Sequence, residues 1–478
     1  MIKTLLLMGA HDFGRSSAKP RSWMCLLLAA LCAVSFCHAV YAAEIQESPT
    51  GYGDDFSKQY TALTKEVLLA GIELERFSLN YRMESVRQQR FRRLRYFLAQ
   101  ETGASCELAF EATAIKQFGI GRRRPLRVNQ RALGNALKAG MTGSIIAGSG
   151  SCLELAYNAL QALKSKRHGF DTAAANRYVA AKLKRIDDLL VQRDALVAAN
   201  SDHPAYMRAV VEGKVLREMR AAFINEYAHF NADSRSYLAF QNLFFLLNAG
   251  FNAIGATGFG LANKGLTEPK LNGPANILFI VGGGLATVTP LLSSAYAALI
   301  RKHAYSSLAE QLHEKPHFEP AELTAQRKTL EEHLGGAEGS LIPSLPATGR
   351  LALYTESDEL FRKQLDSETR VMRHLEKVAL ETSILGPAIG GTLMTQGILG
   401  AVGFYKYGIR IRKQFRLNYY GAIVGSVGAS MAVVGNAAWL LASLSYEHHL
   451  AKRKRLPAQL IEQRLSHLEE TEKIVRSL

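Results

Sequence analysis

Five charged residues stand in or beside long apolar stretches, where groups able to carry protons or ions are costly: Glu107, Glu111, Lys116, Lys138 and Glu154. If the segments holding them cross a bilayer, these groups need one another or water, the usual mark of an ion or proton path. If they lie at a surface, or are buried for structural reasons, they carry no such meaning, and that is the expectation. Asn248 and Asn252, four residues apart, share a helical face. They are expected to hydrogen-bond a neighbouring helix rather than a solute.

Other chemistry is harder to assemble. His313-Glu314-Lys315-Pro316-His317 matches the two-histidine zinc-hydrolase pattern, which needs both histidines on one face of an intact helix. Pro316 removes a backbone donor and clashes with the preceding turn. His448 and His449, beside Glu447, point in different directions from adjacent helical positions. Gly148-Ser149-Gly150-Ser151 lacks the glycine two residues past a serine that a nucleophile elbow needs. There is no glycine-rich phosphate loop ending in Lys and Ser or Thr. No catalytic, cofactor-binding or metal-ligating residue is therefore assigned, and no enzyme is expected.

The elements that position these residues are organised by a recurring turn. Phe118-Gly119 through Asn129 returns as Tyr407-Gly408 through Asn418, and more loosely, with two residues inserted, as Phe259-Gly260 through Asn272. A repeat is the first thing to seek in a chain of this kind. An aromatic at the lipid-water boundary, a glycine ending a helix in the left-handed conformation and an asparagine capping the next helix would each have a job there. Between them, Arg122, Arg123, Arg124 and Arg127 in the first copy, and Arg410, Arg412, Lys413 and Arg416 in the third, suit a cytoplasmic turn.

Each turn would join two membrane arms. Residues 236–263 and 271–300 hold no Asp, Glu, Lys or Arg apart from Lys270 just outside them, and the arms at 382–405 and 417–446 are uncharged too, apart from the bounding residues. About 20 apolar residues suffice to span the hydrocarbon. Small-residue faces for close helix contact are expected at Gly140, Ser144 and Gly148, at Gly386 and Gly390, and at Gly421 and Gly425. The first hairpin, about 102–152, is the weakest, because its leading arm carries Glu107, Glu111 and Lys116. That arm is expected to be shielded by protein or to sit at the interface. The basic run from Arg82 to Arg95 fits either a helix lying on headgroups or a solvated face.

The expected fold is an all-α integral membrane protein of three helical-hairpin units with up to six membrane arms, extended by long amphipathic, coiled-coil-like helices. Residues 1–42 resemble a signal peptide: Arg15, Lys19 and Arg21 precede an apolar core. A mobile stretch at 43–54 leads to unit 1 (55–199), unit 2 (203–335, hairpin 236–300), a linker (336–349) and unit 3 (350–478, hairpin 382–446). Val179, Leu183, Ile186, Leu190 and Val197 have coiled-coil spacing with Arg193 interrupting, and Ile461, Leu465, Leu468, Val475 and Leu478 form a stripe. Three of five cysteines lie in the signal, leaving Cys106 and Cys152, which are expected to be free thiols.

With 58 basic against 42 acidic residues the net charge is +16. For a membrane protein this favours anionic lipid headgroups; nucleic acid is not expected, since no binding module accompanies the charge. The expected role is that of a multi-span scaffold in a bacterial inner membrane, with extracytoplasmic helices that bind a protein partner or a second copy. The alternative is an ion or small-solute transporter or channel. The three-hairpin plan is shared with mitochondrial carriers, but their Pro-acidic-basic signature is missing here.

Overall fold

The structure is a computed structural model that describes residues 54–86, 89–167, 169–314, 316–334, 354 and 385–477. The signal peptide, residues 43–53, the linker 336–349, Leu478 and nearly all of 350–384 lie outside the described residues. Among those described there is no strand. The helices are α1 (Asp54–Val86), α2 (Gln89–Gly121), α3 (Gln130–Arg167), α4 (Thr172–Ala199), α5 (Tyr206–Lys264), α6 (Asn272–Leu312), α7 (Pro320–Leu334), α8 (Leu385–Tyr407), α9 (Ile411–Lys452) and α10 (Pro457–Ser477). Four of them, α5, α6, α8 and α9, are long and apolar enough to cross a membrane. At 59 residues α5 is about 90 Å long.

Six helices form a closed ring in the order α2, α3, α5, α6, α8, α9, each antiparallel to its neighbours. The seams are visible at the glycines, where a side chain would strike the next helix. Along α3, a Cβ on Gly140 would lie 2.8 Å from the Phe259 ring and one on Gly148 3.1 Å from Asn252 Cβ, while a Cβ on Gly255 would lie 3.3 Å from Ser144 Oγ. Between α6 and α8, a Cβ on Gly283 would meet the Met394 backbone N at 2.4 Å and one on Gly390 the Thr287 backbone N at 2.5 Å. Gly386 faces Pro290 at 2.9 Å. Gly421 and Gly425 of α9 face Gln396 of α8, and Gly425 also faces Glu111 of α2. The ring closes where Gly121 of α2 leaves room for Phe415 of α9. Small residues let backbones approach this closely.

The ring is filled, not hollow, toward its turns. Phe110, Leu133, Leu137, Phe259, Phe279, Leu393 and Ala422 form one buried cluster to which each of the six helices contributes. Phe259 meets both Phe110 and Phe279 edge-on, with centroids 5.0 Å apart in each pair, a favoured aromatic geometry.

Three turns reverse the chain at the same end of the ring, but their parts work differently from the expectation. Phe259 is 3% exposed: an aromatic without a polar atom gains more in the core than at an interface, so it is no boundary residue. Gly119 and Gly260 sit inside α2 and α5, and none of Gly119, Gly260 and Gly408 has a positive φ. Their absent side chains instead make room for Tyr419, Met141 and the Phe404 carbonyl. Only Asn129 caps, its Oδ1 accepting from Ala132 N at 3.0 Å. Asn272 Nδ2 ties back to the Gly265 carbonyl at 3.1 Å. Asn418 lies seven residues into α9, because the third turn is shorter.

The first two turns share a register centred on proline. Pro125 and Pro269 each open a short 3-10 turn, and the residues before them, Arg124 (φ −137°, ψ 80°) and Glu268 (φ −119°, ψ 83°), have nearly the same conformation. Each donates its backbone N–H to the carbonyl four residues earlier, Ile120 or Lys264, at 2.8 and 2.9 Å. A residue before proline is held out of the helical region, which stops both helices at the same point.

Beyond the opposite end of the ring the helices continue into a head. Its core takes Val67 and Leu74 of α1, Val179, Leu183, Ile186 and Leu190 of α4, Val215 and Tyr227 of α5, Leu308 of α6, and Leu323 and Leu330 of α7. A second cluster seats Ile461, Leu468 and Val475 of α10 against Tyr60, Leu79 and Met83 of α1. Gly169, the one described glycine with positive φ (71°), reverses the chain between α3 and α4, and Asp171 caps α4 through Ala174 N at 3.3 Å.

The seams can be tested with adjacent glycines. Gly283→Ala is expected to cost about 1–3 kcal/mol by overpacking and to lower the melting temperature of the purified protein. Gly284→Ala, where no atom lies within 4 Å of the new Cβ, is expected to leave it unchanged or raise it slightly. Equal effects of the two would count against the α6–α8 contact.

Candidate functional site

The polar residues of the ring form two groups. The first lies between α2, α3 and α5 near the head. Asn248 Nδ2 donates to Tyr96 Oη at 3.0 Å and to Ser151 Oγ at 2.9 Å, and lies 3.3 Å from Gln100 Oε1. Gln100 Nε2 donates to the Ala147 carbonyl at 3.0 Å. Asn248 thus bonds neighbouring helices, whereas Asn252 Nδ2 turns to its own helix, donating to the Asn248 carbonyl at 2.8 Å. Next to them, Glu154 is 1% exposed and receives both Arg92 Nε and Arg95, the latter at 2.6 Å. Both guanidiniums lie over the Tyr157 ring, at 5.2 and 5.6 Å from its centroid.

The second group runs down the seam of α2 with α8 and α9. Glu111 is fully buried, and its Oε1 accepts from Gln396 Nε2 at 2.6 Å. Glu111 Oε2 and Gln396 Oε1 have no hydrogen-bond partner. Glu101, nearly three turns nearer the head, bonds Asn436 of α9. Glu107 is half-buried between them. Glu101 and Glu111 therefore face amides on α9 and α8.

The structure does not bring the five charged residues together. Lys116 and Lys138 are exposed, Glu107 and Glu111 share one seam, and Glu154 is matched by Arg92 and Arg95. His313 ends α6 in the left-handed conformation (φ 52°), so His313 and His317 do not share a helical face. Glu447 pairs with Arg93. Among the described residues no group of three or more His, Cys, Asp or Glu could hold a metal. Cys106 and Cys152 are free.

Sequence reasoning missed the buried charges of the head. Arg82, read as part of a surface run, is 2% exposed and bonds Glu226 at 2.5 Å; Arg464 of α10 joins the same carboxylate at 3.3 Å and also pairs with Glu75. Arg193, read as an interruption of the α4 stripe, is wholly buried. Its Nη2 donates to Tyr60 Oη at 2.5 Å and to the Ala209 carbonyl at 3.0 Å, with Glu212 at 3.5 Å. Tyr354 Oη reaches Glu212 at 2.9 Å. The available signal was positional: Arg193 falls in step with the apolar stripe, as a buried residue must. No family model matches this chain, and no curated protein matches it.

The Glu226 cluster fixes how the head responds to acid. Burial alone would raise the Glu226 carboxyl, but the flanking Arg82 and Arg464 guanidiniums outweigh it and hold the group below its ordinary value. The Lys182 hydrogen bond does the same for Glu73, and Arg76 and Arg476 for Glu472. A carboxyl depressed in the folded state adds stability above its unfolded value and loses it as pH falls through the folded one. The melting temperature is therefore expected to decline below about pH 5. Glu226→Gln, which takes away the carboxylate that buried Arg82 and Arg464 share, is expected to cost about 3–5 kcal/mol at pH 7 and to flatten that acid limb. An unchanged melting temperature in the variant would contradict the cluster.

Proposed function

We propose that the protein is a multi-span membrane scaffold in which all six ring helices cross the bilayer and the head presents a binding surface outside it. The observation that carries this is depth. Glu111 of α2 lies level with Gln396 and Gly425, deep in the apolar stretches of α8 and α9. In α3, Gly140, Ser144 and Gly148 step along Phe259, Gly255 and Asn252 of α5. The first hairpin is thus at the same level as helices that can each cross a membrane, and its acids are turned inward, where their cost in lipid is reduced. Exposed Leu291, Leu299, Val434 and Leu441 give the outer surface an apolar face.

The Arg-dense turns favour a cytoplasmic position for the ring's closed end, and the expected signal peptide favours an extracytoplasmic head; Lys452 to Arg455, near the head, run against the charge rule. The bacterial inner membrane suits this arrangement. The filled cluster around Phe110, Phe259 and Phe279 favours scaffold over pore. Exposed Val191 and Met207 supply apolar points on the head for a protein partner or a second copy. One observation favours transport instead: the unpartnered buried oxygens of Glu111 and Gln396, which a proton or cation would satisfy.

Single cysteines test the assignment in a background lacking native cysteines. A membrane-impermeant maleimide is expected to label Glu331→Cys on the head in intact cells, and Leu126→Cys and Ile409→Cys at the turns only after permeabilisation. Labelling of head and turns from the same side would sink it. In proteoliposomes no proton or cation flux is expected; a flux lost in Glu111→Gln would transfer the assignment to transport.

A further inference from the structure

A cleft of about 260 Å³ opens on the outer side of the ring between α2 and α3. Its floor is the tight contact of Ala99 with Gly150, where a Cβ on the glycine would lie 2.5 Å from Ala99 Cβ. Ile145, Ile146 and Leu153, all exposed, form its apolar wall, and Arg95 and Tyr96 stand at the head end. It is smaller than the roughly 300–1,000 Å³ of small-molecule sites and almost wholly apolar beyond Arg95. One hydrocarbon chain suits it; a whole polar metabolite does not.

The charge at its mouth is unbalanced. Among the described residues, Glu154 is the only carboxylate paired with the guanidiniums of Arg92 and Arg95, so these three groups leave one positive charge. Arg92 Nη2 is buried without a hydrogen-bond partner. Arg95 keeps 39% of its side chain exposed, enough to meet a second anion. In α2, Arg95 precedes the turn at Arg122 by 27 residues, about 40 Å of helix, which on the membrane assignment puts it at headgroup level on the head side.

We propose that this cleft is a binding site for one anionic phospholipid, with an acyl chain along Ile145, Ile146 and Leu153 and the phosphate at Arg95, the exposed one of the two arginines that share Glu154. The site rests on the membrane assignment above and adds to it a specific lipid class and position. The lipid would cover the side of the α2–α3 hairpin, the pair least apolar in sequence, and would supply the anion that Glu154 leaves wanting.

The test is native mass spectrometry of the detergent-purified protein offered phosphatidylglycerol or phosphatidylcholine. One phosphatidylglycerol is expected to be retained, with about fivefold preference over phosphatidylcholine, the factor for one basic charge at a lipid surface. Ser149→Trp, an exposed position at the cleft, is expected to remove the bound lipid while leaving helicity and melting temperature unchanged; Arg95→Gln is expected to abolish the preference. Excess sn-glycerol 3-phosphate is expected not to displace the lipid. Equal retention of the two lipids, undiminished binding in Ser149→Trp, or full displacement by glycerol phosphate would overturn the site. Carbonate washing of cell membranes separates the failures: release of the wild type defeats the membrane assignment itself, whereas a retained protein without lipid preference defeats only this site.

Discussion

Six helices close into one ring because their backbones come nearly into contact at glycines, and every other feature depends on that closeness. Where Gly283 meets Met394 and Gly390 meets Thr287, a single methyl group has no room. On the proposed membrane assignment, these helices gain little from hydrophobic contact with one another, so packing of small residues and hydrogen bonds must hold them. The glycines weaken each helix in isolation, and the contacts across the seams compensate. The ring is therefore a collective object: α2, with its acids, keeps its place only because α9 and α3 hold it on either side.

That placement explains how a charge-bearing helix belongs among apolar ones. Glu101 meets Asn436 and Glu111 meets Gln396, both across a helix boundary, so the polar atoms are turned to a protein seam. The two exposed lysines, Lys116 and Lys138, stand within three turns of the hairpin bend and have stems long enough to reach toward it. The head solves the same problem with ion pairs. Arg82 and Arg464 share Glu226, and Arg193 is enclosed by Tyr60, Thr64, Ala209 and Glu212. Removing one member of such a set costs more than the set contributes, since the remaining charges stay buried.

The hairpins at 236–300 and 382–446 could be read from the sequence because a long uncharged run has few other uses. The stripes on α4 and α10 were legible from their helical spacing: Val179, Leu183, Ile186, Leu190 and Val197 are buried, as are Ile461, Leu468 and Val475, with Leu465 half-buried beside them. The role of α2 was not, since what makes Glu111 tolerable is Gln396, 285 residues away. Arg82 and Arg193 look like surface residues until their partners on distant helices are known. The recurring aromatic-Gly pair and Asn mark the turn in the sequence, yet the feature that stops α2 and α5 alike is the proline after Arg124 and Glu268. The left-handed glycine belongs to Gly169, outside the motif, because that reversal has no proline to end its helix.

Closure of α2 onto α9 is the most direct point at which to test the ring. A Cβ on Gly121 would lie 2.7 Å from Phe415 Cγ, so cysteines at both positions would have Cβ atoms within about 4 Å, inside disulfide range. We expect Gly121→Cys with Phe415→Cys, in a background without native cysteines, to form an intramolecular disulfide on mild oxidation in native membranes. Failure of that pair, while cysteines at Gly140 and Phe259 on the neighbouring α3–α5 seam do cross-link, would show the ring to be open and its first hairpin to lie elsewhere.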